Sequence, residues 1–165
     1  MAPIEYIPIM QAYYERQGLG PYPLYHPTDT PWTPLAKPLA ECRIALVASA
    51  GISRCDQKPF RRHGHDDFSI REVPLDSPAD ALVVNYDYFN HADADKDMNC
   101  LFPLARLREL AKEGFVGGAC PTAFAMGIGR WREAATPERL QTEVAEELLG
   151  RCREQGADAV LLVPG

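Results

Sequence analysis

The densest group of chemically capable side chains is the run Asn85-Tyr-Asp-Tyr-Phe-Asn-His-Ala-Asp-Ala-Asp-Lys-Asp-Met-Asn99. Its carboxylates can hold an ammonium or take up a proton. It follows an apolar strand and precedes a helix, and open α/β sheets bind ligands beyond the carboxyl ends of their strands. Asp93, Asp95, Asp97 and Asn99 alternate as in a calcium loop, yet Met98 stands where that loop needs glycine and Leu104 where it needs glutamate. Two readings stay open: a ligand-binding loop, or a solvated turn in which Asp97 or Asn99 caps the next helix.

Other groups are sparser. His63-Gly-His65 with Asp66 and Asp67, joined in space by His91 or Cys100, would be the residue types of a transition-metal site. Arg61 and Arg62 beside them repel a cation, so a polar loop without metal is favoured and the histidines remain the metal alternative. The five cysteines are odd in number, widely spaced and lack a C-x-x-C, unlike a secreted disulfide scaffold. Cys42 and Cys152 read as buried small hydrophobes. Cys120, in the glycine-rich stretch ended by Pro121, is either structural or an exposed thiol of lowered pKa. No phosphate-binding glycine loop and no G-x-S-x-G elbow occurs; Gly127-Ile-Gly129 continues into Arg-Trp-Arg.

The elements that must position these groups are legible in the apolar pattern. Arg43–Ser49 predicts a buried strand ending in a Ser49-Ala50-Gly51 turn, Phe68–Val73 a short exposed strand, and Ala81–Val84 another buried strand. A helix is expected over Leu104–Glu113, stopped by Gly114. A second opens at Thr136-Pro137-Glu138 and carries Leu140, Val144, Leu148 and Cys152 before Gly156. Ala159–Val163 is continuously apolar, which predicts a buried central strand of a parallel sheet. The expected class is α/β: a single three-layer domain with a mostly parallel sheet over 41–165. Residues 1–40 hold eight of the 15 prolines, with a short helix within Glu5–Gln17. This Pro/aromatic-rich N-terminal strap should bury several tyrosines on this domain or on a second subunit.

Composition excludes several classes. With 165 residues, 46% hydrophobic and 24% charged, the chain has enough apolar material for a core. A net charge of −6 provides no footprint for nucleic acid or anionic membranes. The longest near-apolar run, Ile44–Ile52, has nine residues, about half of what a bilayer span needs. The N-terminus lacks the features of a signal peptide. A cytoplasmic protein is the expectation.

One stretch is specific enough to suggest kinship. Asp93-Ala-Asp-Lys-Asp-Met-Asn-Cys-Leu-Phe-Pro-Leu-Ala-Arg-Leu-Arg-Glu-Leu110, followed by Gly114 and Gly117, resembles the selenoprotein B family of glycine, sarcosine, betaine and D-proline reductases. Tyr6-Ile-Pro8, Pro31–Leu35, Lys37–Leu39, Leu46–Gly51, Pro59-Phe60, Asp67–Arg71 and Ala157–Pro164 also match family segments in order. The resemblance implies an oxidoreductase, with disulfide as acceptor, that cleaves the C–N bond of a small amino acid or betaine with a selenol or thiol nucleophile. On that reading Asp97, Cys100 and Cys120 are the catalytic candidates. Asp93 and Asn99 bind the substrate ammonium, Arg71 clamps a carboxylate, and Gly51 joins the substrate-binding set. The family carries histidines where this chain has Tyr86 and Tyr88. Its redox residue follows the Ala159–Val163 strand, which implies a selenocysteine or thiol centre just beyond Gly165 and a longer gene product whose translation ended at a UGA codon. The alternative is a naturally short member that covers its sheet with the N-terminal strap or by dimerising. The implied partners are a small-molecule substrate and a thiol or selenoprotein redox partner, and a homodimer is expected. The competing class is a non-catalytic or metal-dependent small-ligand-binding module on the same fold.

Overall fold

The computed structural model describes residues 5–18, 20–21, 28–29, 31–61, 67–86, 89–127 and 138–164. The chain divides into two units, Met1–Trp32 and Thr33–Gly165. The first contains helix α1 (Tyr6–Arg16), which ends as expected at Gly18, a residue of positive φ (66°) whose N–H bonds the Glu15 carbonyl. Tyr22 and Tyr25 of the expected strap lie outside the described residues.

The second unit is built on β1 (Arg43–Ala48), buried from Ile44 onward. Along one side β1 pairs in parallel with β7 (Ala159–Val163), in register from Ile44↔Ala159 to Ala48↔Val163. Along the other it pairs in parallel with β5 (Gly118–Ala119) at its start and β6 (Thr122–Met126) at its end. The Cys120 N–H reaches the Ile44 carbonyl at 2.9 Å, so β5 and β6 act as one interrupted strand. Beyond β6 lies β3 (Ile70–Pro74), the antiparallel member. The lateral order is therefore β3–β6–β1–β7, mostly parallel, as expected. A small sheet of β2 (Ile52–Arg54) and β4 (Leu82–Val84) adjoins it.

Alternation along β1 divides the core into two layers. Ile44, Leu46 and Ala48 pack with Phe102, Leu104 and Leu107, which brings α2 (Leu104–Lys112) onto one face. Ala45 and Val47 pack with Phe124, Val144, Leu148 and Cys152, which brings α3 (Ala145–Glu154) onto the other. Both helices end alike. Gly114 (φ 74°) and Gly156 (φ 71°) donate to the carbonyls of Ala111 and Arg153, and the next residues reach back to Leu110 and Cys152. This paired closure satisfies carbonyls that a helix end would leave open.

Three expectations need correction. β7 is parallel but sits at the edge of the sheet rather than its centre, and Leu162 is 70% exposed. Continuous apolarity does not reveal strand order, which is fixed by distant partners. β6 has no counterpart among the expected strands, because Thr-Ala-Phe-Ala-Met is short and largely small-residued. The second helix enters through a π-helical turn at Leu140–Val144, and its expected start at Thr136-Pro137 lies outside the described residues.

Leu107 is buried whereas Leu110, on the same helix, is partly exposed. Leu107→Ala should cost about 2–5 kcal/mol in urea denaturation, and Leu110→Ala within about 1 kcal/mol. Equal losses would contradict the assigned face of α2.

Candidate functional site

A cavity of about 540 Å³ opens beside the small sheet, walled by Asp80, Leu82–Val84 and Ala94–Met98. Local hydrogen bonding shapes its acidic wall. The Asp95 and Asp97 N–H groups bond the His91 and Asp93 carbonyls, closing a turn that Met98 anchors in the core. The Asp97 carboxylate then accepts from the N–H (3.0 Å) and the side-chain amide (2.8 Å) of Asn99. Asn99 in turn accepts from the N–H groups of Ala105 and Arg106, at 3.2 and 3.4 Å. Pro103 gives α2 no side-chain cap, so Asn99 supplies it from outside. The hydrogen bonds from Asn99 hold the Asp97 carboxyl below the usual carboxylate range.

Asp97 thus both braces the helix cap and borders the cavity. Asp93 lies one turn away, its carboxylate on Lys96 Nζ at 3.1 Å. Lys96 and Asp95 border the cavity, and Asp95 also meets His91 Nδ1 at 2.9 Å. The cavity therefore offers three carboxylates and one ammonium group.

A second assembly sits past the ends of β1 and β6. Gly51 turns the chain out of β1 with φ 62°, and a Cβ there would overlap the Tyr86 ring. Its N–H bonds the Met126 carbonyl, and its carbonyl takes both the backbone and side-chain N–H of Asn85. Both backbone polar groups of Gly51 are therefore engaged within the protein. Tyr86 packs on Phe60, and the Arg71 guanidinium lies 4.2 Å over the other ring of that pair, Phe60. Arg71 also donates to the Lys58 carbonyl and Ser69 Oγ. Burial alone would raise the Asp67 carboxyl, but hydrogen bonds from Ser69 and the Arg61 N–H, with the Arg71 charge, hold it below its ordinary value. Arg71 and Gly51 thus belong to this stack, and neither borders the acidic cavity.

The thiols also separate. Cys120 is buried between β5 and β6, where burial pushes its thiol up, and the same holds for Cys152. The exposed, lowered-pKa thiol envisaged for Cys120 is therefore not found, because the short link between β5 and β6 is held against β1 by the Cys120 N–H on the Ile44 carbonyl and lies in the core. Cys100 is exposed at the end of the turn that starts from Asp97. A further exposed thiol, Cys55, lies 3.9 Å from the carbonyl of the cavity residue Asp80. Sequence reasoning misses it, since the pairing of β2 with β4 that brings it there carries no local signal. His63, His65 and Asp66 lie outside the described residues, and no group of three metal-ligating side chains occurs among the described ones. No described helix is long and apolar enough to cross a membrane.

Asn99→Ala should lower stability by about 1 kcal/mol through loss of the α2 cap, read in urea denaturation; an unchanged midpoint would contradict the cap. Asp67, Asp97 and Asp158 all have lowered folded values. The stability they add is complete above the unfolded carboxylate range and lost as pH falls through the folded values, so the denaturation midpoint should hold steady from pH 7 to about 5 and drop below about 4. A midpoint that rises on acidification would contradict the assignment.

No protein-family model and no solved structure matches the chain. Among curated proteins it is similar to the D-proline reductase subunit gamma of Acetoanaerobium sticklandii, with 35% identity over 144 residues. That alignment covers 86% of this chain and 57% of the relative, so the chain spans a little over half the relative's length. The similarity supports a relation to proline and glycine reductases, without singling out the selenoprotein B family.

Proposed function

We propose that the chain handles the substrate of a reductase that cleaves the C–N bond at the α-carbon of a small amino acid or betaine. The observation that carries this reading is the similarity over 144 residues to a D-proline reductase subunit. The cavity supports it with matching chemistry. Asp80, Asp95 and Asp97 suit a substrate ammonium, and Lys96, held by Asp93, suits its carboxylate.

In such a reaction a thiolate or selenolate attacks the α-carbon, and the amine leaves with the bonding pair and takes a proton. A second thiolate then attacks the chalcogen, forming a disulfide or selenosulfide. The α-carbon departs as a carbanion and is protonated. One C–N bond is reduced and two chalcogen groups are oxidised. On this reading the nucleophile is Cys100 or a group on a thiol or selenoprotein redox partner, and Asp97 orders the turn between Cys100 and the substrate.

Isothermal titration with glycine, sarcosine, betaine and D-proline tests the binding step. At least one should bind, and Asp80→Asn and Asp95→Asn should each weaken it by about tenfold or more with an unchanged circular dichroism spectrum. Affinity unaltered in both variants would overturn the reading.

A further inference from the structure

The two edges of the main sheet differ sharply. β3 carries Arg71 and Glu72 in mid-strand and Pro74 at its end. Its Glu72 carbonyl is taken by Gln57 Nε2 at 2.8 Å, and the Glu72 carboxylate by Arg151. Charge, proline and a covered carbonyl are the devices that keep an edge from pairing.

β7 has none of them. Ala-Val-Leu-Leu-Val contains no charge and no proline, and among the described residues it pairs with β1 alone. Val160, Leu161 and Leu162 are 40%, 41% and 70% exposed, and consecutive strand residues point to opposite faces. Apolar surface is thus open above and below an unprotected edge. Such an edge is a template for another strand.

We propose that β7 pairs with β7 of a second copy of this chain, antiparallel about a two-fold axis at Leu161. The strand is complementary to itself. In that register Val160 faces Leu162 of the second copy and Ala159 faces Val163, so every cross-strand pair is apolar. No like charges meet across the seam, although each chain carries a net charge of −6. Asp158, the charge just before the strand, is already bound by Lys37 Nζ at 2.8 Å and the Arg43 N–H at 2.7 Å. Pro164 has no N–H to donate and ends the ladder. The pairing joins the two sheets into one and covers the apolar edge.

Sedimentation equilibrium of the full chain tests this. At about 50 µM the protein should be dimeric, and Val160→Lys and Leu162→Glu should each raise the dissociation constant at least about tenfold. Mixing these two variants sets the introduced lysine against the introduced glutamate across the seam and should restore association. A wild type that is monomeric at that concentration overturns the proposal. So does a dimer that both variants leave intact, or a mixture no tighter than either variant alone.

Discussion

The carbonyl of Gly51 lies where the central strand stops being a strand, and its burial makes its hydrogen bonding obligatory. It is met twice by one residue, through the backbone N–H of Asn85 at 3.0 Å and its side-chain amide at 2.9 Å. The same amide also reaches buried Ser53 Oγ at 2.9 Å. Leaving such a group unpaired costs about 1–3 kcal/mol, so the end of β4 has little freedom to move away from the end of β1. Glycine is required here on two counts: the positive φ, and the Tyr86 ring lying against it. Gly127 obeys a similar constraint, since a Cβ there would overlap the Asp67 carbonyl.

This junction organises both assemblies of polar groups. On one side it carries the stack of Tyr86, Phe60 and Arg71. On the other it fixes β4, the wall from which the acidic cavity opens, and starts the chain into the aspartate-rich run. The opposite wall is held independently, by Met98 in the core and by the relay from Asp97 through Asn99 to the first turn of α2. The cavity is therefore bounded by two anchored elements, with Asp95 and Asp97 on the turn that follows β4 and Asp80 on the short turn just before it. That arrangement suits the proposed role, in which carboxylates and an ammonium group, Lys96 steadied by Asp93, face a small zwitterion.

The legible parts of the molecule are those decided locally. β1 announces itself through its apolar run, α2 through its periodicity, and the ends of α2 and α3 through Gly114 and Gly156, because each depends on residues within a few positions. Strand order is decided by partners far apart in the chain, so β7 gives no sign of lying at an edge. β6 is hidden for a related reason: its small alanines fit between packed layers, and only the layers explain them. In the candidate site, the density of aspartates marks a loop that borders the cavity, and the alternative of a helix cap is realised in Asn99. The burial of Cys120 and the placement of Arg71 on Phe60 arise from the tertiary fold, and no spacing in the sequence encodes them.

The central claim is that substrate-like ligands bind at the acidic cavity beside β4 and not at the glycine junction past the ends of β1 and β6. Backbone amide chemical shifts, followed by NMR during titration with a small amino acid, locate the ligand directly. The account predicts that the perturbed resonances cluster at Asp80, Leu82–Val84 and Ala94–Met98. Perturbations concentrated instead at Ser49–Gly51, Arg71 and Gly127 would contradict it.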